Sequence, residues 1–248
     1  MSTDIPKKIL ITGASSGVGK TLAELFSKSF HVIVVARRIE RLKTYFGERD
    51  NFSLYQADLG DPTDVALFSD KLIADHGYIP YLINNAGVNS RGKINDLSMD
   101  TIKHSAQVNA LSPVFLIKKL LPQMREHNFG RIINVTSGAP LNCFPGFGAY
   151  SASKGFLNAL TVSVAREHEE YNIKINLMSP GPVHSEMSPD SDLAPEVCHP
   201  TAEYLVNLDE KGATGKFFWL GHEVPLFPDL EGVKWLEGDA GGKLKKVF

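Results

Sequence analysis

The chain has 248 residues, 43% hydrophobic and 22% charged, with a formal net charge of −2. This is globular composition, long enough to bury a sizeable core, and the absence of any basic block excludes a nucleic-acid or anionic-membrane surface as the main partner. No stretch reaches the roughly 18 apolar residues of a spanning helix, and two cysteines, Cys143 and Cys198, make no disulfide framework.

The N-terminal MSTDIPKKILITG carries too short an apolar run for a signal peptide, so a cytoplasmic protein is expected. The eight His are scattered outside any metal-ligand spacing, so no metal is expected. In chain order, short β-branched runs read as strands at 7–12, 31–36, 52–57, 81–85, 130–136, 173–178 and 215–220. Amphipathic helical patterns lie between them, among them 18–29, 62–76, 100–127 and 150–171. That alternation predicts one α/β domain with a parallel sheet covered on both faces. Residues 221–248, rich in Gly, Pro and charge, do not read as regular structure.

The first strand runs into TGASSGVGKT (12–21). Gly13, Gly17 and Gly19 let the backbone turn sharply and approach a phosphate. Residues 14–21 satisfy a loose P-loop pattern, in which Lys20 would reach phosphates and Thr21 would hold Mg²⁺. The same glycines also fit a dinucleotide loop with G-x-x-x-G-x-G spacing. The loop alone does not choose between them.

Three features favour the dinucleotide. Asp58 follows Gln56 and makes a poor Mg²⁺ strand end. The second strand ends in VVARR (34–38), and paired arginines suit a ribose 2′-phosphate where an acid would suit a 2′-hydroxyl. Finally, YSASK (150–154) sets Tyr150 and Lys154 four apart, on one face of a helix, and has no use in a P-loop enzyme. Tyrosine titrates near pH ~10, and a neighbouring ammonium lowers that value. The pair therefore reads as an acid/base phenol with a tuning cation.

Together TGASSGVG (12–19), ADL (57–59), NNAG (84–87), Asn109 in VNALSPVF, Ser137 in NVTSG, YSASK (150–154) and SPGPV (179–183) resemble the short-chain dehydrogenase/reductase family. The resemblance covers roughly the first 180 residues and continues weakly to the last strand. It implies a Rossmann-like doubly wound sheet and an NADP(H)-dependent oxidoreductase of carbonyl or secondary-alcohol substrates, of which a 3-oxoacyl reductase-like activity is one form. A P-loop phosphotransferase and a non-catalytic dinucleotide-binding module stand as alternatives. Asn109, Ser137, Tyr150 and Lys154 take the family's catalytic positions. Ser137 would hydrogen-bond the carbonyl oxygen, Lys154 would also hold the nicotinamide ribose, and Asn109 would anchor a water leading to it. The resemblance lines the cofactor with Gly13, Ser15, Ser16, Gly17, Val18, Gly19, Arg37, Arg38, Asp58, Leu59, Asn84, Asn85, Ala86, Gly87, Tyr150, Lys154, Pro180, Gly181, Val183 and Ser185. Arg37 is the expected principal ligand of the 2′-phosphate, with Ser15 and Arg38 assisting.

Ser137, Leu141, Cys143, Phe147 and Tyr150 are the expected substrate contacts. The substrate would be a small-molecule or carrier-tethered carbonyl. By resemblance the chain forms a homodimer through 100–127 and 150–171. The family's glycine pair after the last strand is missing, so a tetramer is left open. The catalytic domain is expected over 1–221, with a short substrate loop at 182–193. The tail, 222–248, is expected to fold back as a pocket wall, anchored by Phe227 and Trp235.

Overall fold

The structure, a computed structural model, describes residues 5–228, 230, 232, 233 and 237. Eight strands form one sheet in the order β3-β2-β1-β4-β5-β6-β7-β8. They are β1 Lys8–Thr12, β2 His31–Ala36, β3 Phe52–Gln56, β4 Tyr81–Asn84, β5 Gly130–Val135, β6 Ile173–Ser179, β7 Phe217–Trp219 and β8 His222–Val224. All pairings from β3 through β7 are parallel. The order reverses between β1 and β4, where an open α/β sheet leaves a crevice beyond its carboxyl edge.

Alternation along the strands sends side chains to two cores. Ile9, Ile11, Val32, Val34, Ile133 and Val135 pack with α1 (Gly17–Phe26), α2 (Ile39–Phe46) and α8 (His199–Val206). Leu10, Ile33, Val35, Ile132, Ile173 and Ile175 pack with α3 (Pro62–His76), α5 (Ser112–Glu126) and α7 (Gly148–Glu167). Two-sided burial is why these strands read as unbroken apolar runs. Two further α-helices among the described residues are α4 (Met99–Ala106) and α6 (Ala139–Asn142).

Two expectations are corrected. The helical pattern 100–127 is not one α-helix: a π-helical turn, Gln107–Leu111, separates α4 from α5. Asn109 lies buried within it, in polar contacts described below. The stretch 221–248, expected to be irregular, begins with β8, which pairs antiparallel with β7. The two-residue turn between them holds Leu220 at φ 47° and Gly221 at φ 80°. Positive φ at both central positions suits a tight hairpin, but leucine rarely adopts it and gives no turn signal in the sequence. Val224 and Leu226 then pack against Leu157, Leu177 and Phe217.

Candidate functional site

The carboxyl ends of β1 to β6 open onto a cleft of about 980 Å³. At its β1 edge, Gly13 has φ 73°, and a Cβ there would lie 2.8 Å from the Ala86 Cα. A Cβ on Gly19 would meet the Asn85 Nδ2 at 2.4 Å and the Gly13 carbonyl oxygen at 2.5 Å. Only glycine permits so close a turn. Thr12 ties this turn to the end of β4: its hydroxyl accepts from the N–H groups of Asn85 (3.0 Å) and Ala86 (2.9 Å). The N-terminus of α1 borders the cleft, with Ser16, Gly17, Val18 and Gly19 among its lining.

Lys20 and Thr21 do not join this loop. The Lys20 ammonium lies 3.6 Å from Glu24 and 4.4 Å from the Tyr45 ring centroid, and the Thr21 hydroxyl donates to Val18 O (3.1 Å). The P-loop alternative thus loses both of its working side chains: neither lines the cleft, Lys20 pairing along α1 and Thr21 lying buried in it.

Both β2-terminal arginines line the cleft, but they differ. Arg38 donates from Nε (3.3 Å) and Nη2 (3.1 Å) to Ser15 Oγ, and from Nη2 to Ser16 Oγ (3.0 Å). Its Nη1 donates to both carboxylate oxygens of Glu186, at 3.0 and 2.8 Å. Arg41, one turn further along α2, also pairs with Glu186. The two guanidinium groups, Arg41 foremost, hold the Glu186 carboxyl below the usual range. Arg37 makes no such bond to Ser15 or Ser16 and also borders a groove with Gln56, Asp58 and Asp64. Ser15 is therefore organised by Arg38 and not by Arg37. Asp58 also lines the cleft, and its Oδ1 accepts from the Gly60 N–H at 2.8 Å.

At the other end, α7 presents Tyr150, Ser153, Lys154, Leu157, Asn158 and Thr161 on its buried face. Tyr150 and Lys154 both line the cleft, with Ser137 opposite. Lys154 is 4% exposed and donates to the Val135 carbonyl (2.8 Å). Burial pushes its ammonium down to about 8. Burial also raises the Tyr150 phenol, offset in part by a hydrogen bond with the Ser137 hydroxyl and by the charge of Arg91. This reverses the expected lowering: in the chain itself, desolvation of the phenolate outweighs the neighbouring charges.

Asn109 is fully buried and does not line the cleft. Its Oδ1 accepts from Val88 N–H (2.8 Å), and its Nδ2 donates to Val88 O (2.9 Å) and Ser153 Oγ (3.0 Å). A Cβ on Gly87 would lie 3.3 Å from that Oδ1 and 3.6 Å from Lys154 Nζ, so Asn109 and Lys154 flank the same glycine. Asn84 is also withdrawn, donating beneath the sheet edge to Asn134 at 2.9 Å.

Every other residue expected at the cofactor lines the cleft: Val18, Leu59, Gly87, Pro180, Gly181, Val183 and Ser185 among them. The substrate expectation fares less well. Leu141 and Cys143 are exposed and outside the cleft, because α6 turns that segment outward. Phe147 does not line the cleft either, although its ring centroid stands 6.4 Å from that of Tyr150. Among the described tail residues none lines the cleft; Phe227 is exposed, and Trp235 lies outside the described residues. The loop 182–193 contributes the wall instead, through Val183, Ser185, Glu186, Met187 and Ser188. Glu186, Arg41 and Arg91 escaped the sequence reading. The partners of Glu186 lie 145 and 148 positions away, so no local pattern marks it.

Among the described residues no helix is long and apolar enough to cross a membrane. Residues 7–195 match the model of a protein family described as short chain dehydrogenase. The mouse dehydrogenase/reductase SDR family member 7B is 33% identical over 189 residues, which cover 73% of this chain and 58% of that protein. An uncharacterized oxidoreductase of Mycobacterium bovis is 36% identical over 179 residues, 68% of this chain and 52% of its own. The chain thus spans little more than half the length of these two curated relatives. Among solved structures, a 4-hydroxyisoleucine dehydrogenase complexed with NADH and succinate matches with a TM-score of 0.79 at 29% identity, over 85% of this chain and 96% of that chain. A metagenomic short-chain oxidoreductase in complex with NADP matches with a TM-score of 0.75 at 27% identity, over 87% and 97%.

Proposed function

Since the chain belongs to the short-chain dehydrogenase family, we propose that it is an NADP(H)-dependent oxidoreductase of carbonyl and secondary-alcohol substrates. The observation that carries the reading is that Ser137, Tyr150 and Lys154 line one cleft with the glycine turn and Arg38. The residues fit a phosphorylated dinucleotide. Glu186 already stands as an anion between Arg38 and Arg41, and the turn at Gly13 and Gly19 admits no side chain. Arg38, fixed by Ser15 and Ser16, is the principal 2′-phosphate ligand in this reading, and Arg37 is secondary. The matching structures carry NADH in one case and NADP in the other; the basic pocket favours the phosphorylated form here.

When bound, the nicotinamide cofactor supplies or accepts the hydride. The chain's own side chains handle the proton and the oxygen. Ser137 donates a hydrogen bond to the carbonyl oxygen and stabilises its developing charge. The raised phenol of Tyr150 keeps its proton at neutral pH, so it is a donor to that oxygen, which suits carbonyl reduction. Lys154, buried against the Val135 carbonyl on the same helix face as Tyr150, would stabilise the phenolate left after transfer. Asn109 fixes the Val88 main chain and thereby the Gly87 floor.

The test is a panel of aldehydes and ketones with NADPH, following absorbance loss. Turnover of carbonyls supports the reading; no oxidation across the panel, with NADPH demonstrably bound, refutes the enzymatic role. Two copies are taken to associate through α5 and α7, where Phe115 and Phe156 leave apolar surface exposed. Catalysis is taken to reside in 1–221, with 182–193 as the substrate loop.

A further inference from the structure

Arg91 is the one cleft-lining cation that the proposed chemistry leaves without a task. The cleft's other cations are Arg37, Arg38 and Lys154, and its carboxylates are Asp58 and Glu186. Glu186 is held by Arg38 and Arg41, at the opposite end. Among the described residues Arg91 makes no ion pair.

Its position is nevertheless built. The guanidinium carbon stands over the Phe147 ring, 4.7 Å from its centroid. Phe147 in turn meets the Tyr150 ring edge-on, at 6.4 Å between centroids. With the Asn89 amide oriented to satisfy both groups, Arg91 donates to its oxygen from Nε (2.9 Å) and from Nη2 (3.2 Å). The loop itself is pinned by Gly92 N–H donating to the Gly146 carbonyl at 2.9 Å. An aromatic face and a side-chain amide thus hold the cation beside the proton-donating phenol, with Nη1 uncommitted to either. A guanidinium is weakly hydrated and retains its charge, so it recognises oxyanions in such a setting. Arg91 also acts on Tyr150 through its field, opposing the effect of burial.

From this arrangement we propose that Arg91 is the anion-binding residue of the substrate pocket, and that the carbonyl compounds taken carry an oxyanion group, carboxylate or phosphate, near the reacting carbonyl. The proposal rests on the oxidoreductase reading and deepens it.

The experiment compares matched pairs in NADPH oxidation. The first pair is 4-oxopentanoate and its methyl ester; the second is dihydroxyacetone phosphate and dihydroxyacetone. The anionic member of at least one pair should have the higher kcat/KM, by about tenfold or more, as a charge-assisted hydrogen bond supplies. Which pair shows the preference identifies carboxylate or phosphate. In Arg91→Gln that ratio should fall to about one, and Arg91→Lys should restore part of it. Calorimetry of 4-oxopentanoate and of dihydroxyacetone phosphate into the NADP⁺-loaded protein gives a second readout, with Arg91→Gln weakening whichever binds. Equal turnover of both members of both pairs by the parent protein overturns the proposal while leaving the oxidoreductase reading intact. An unchanged ratio in a folded Arg91→Gln protein also overturns it. Oxidation of NADPH with none of the four compounds or the wider carbonyl panel would instead count against the underlying reading.

Discussion

Replacing Arg38 with Leu separates the two arginines that end β2. Arg38 donates to two serine hydroxyls and, through Nη1, to Glu186 at 3.0 and 2.8 Å, the position a 2′-phosphate would take. A hydrogen bond to a charged group contributes roughly 1.5–3 kcal/mol. The Arg38 side chain is 42% exposed, so solvent screening places the effect at the low end. Arg38→Leu should weaken NADPH binding about tenfold and alter NADH binding little. Arg37→Leu should cost less, since Arg37 faces the groove with Gln56, Asp58 and Asp64. Glu186→Gln should move the other way, tightening NADPH by about two- to fivefold, because an exposed ion pair that the phosphate must displace is worth at most about 1 kcal/mol. Kd values for both cofactors, by fluorescence quenching or calorimetry, decide the matter. Unchanged NADPH affinity in Arg38→Leu, or a larger loss in Arg37→Leu, would refute the assignment.

Three further outcomes are expected. Lys154 titrates at about 8 because burial disfavours its charge, so raising pH through that value removes the ammonium. The kcat/KM for carbonyl reduction should therefore decline on the alkaline side of pH 8, and a profile flat to pH 10 would show that the ammonium is dispensable. Gly19→Ala pushes a Cβ to 2.5 Å from the Gly13 carbonyl, which is backbone and cannot swing away. It should lower Tm by several degrees, as about 1–3 kcal/mol of overpacking predicts, and abolish NADPH binding; native Tm and Kd would contradict the packing argument. Light scattering at micromolar concentration should give a two-chain mass, and a one-chain mass counts against association through α5 and α7.

Local chemistry made much of this legible. Strands such as β2 and β5 are buried on both faces, so their apolar runs stand out. Tyr150 and Lys154 share a helix, so their spacing is visible. Glu186 was not legible because its arginine partners lie 148 and 145 positions away; Arg91 was not because the ring it meets, Phe147, is distant in sequence. Arg38 outranks Arg37 only because α2 starts there and aims its side chain back at Ser15. Asn109 was expected to anchor a water leading to Lys154; the structure buries it in the π-helical turn, flanking Gly87 with Lys154. The β8 hairpin was hidden by a leucine at positive φ.

The central claim is that the Tyr150 phenol delivers the proton in carbonyl reduction, and Tyr150→Phe tests it most directly. The substitution keeps the ring that meets Phe147 and removes only the hydroxyl. The account predicts a folded protein with native NADPH affinity and a kcat reduced by about 10²- to 10⁴-fold, the usual share of a general acid. A kcat within a few-fold of the parent's, on a substrate the parent reduces, would contradict it.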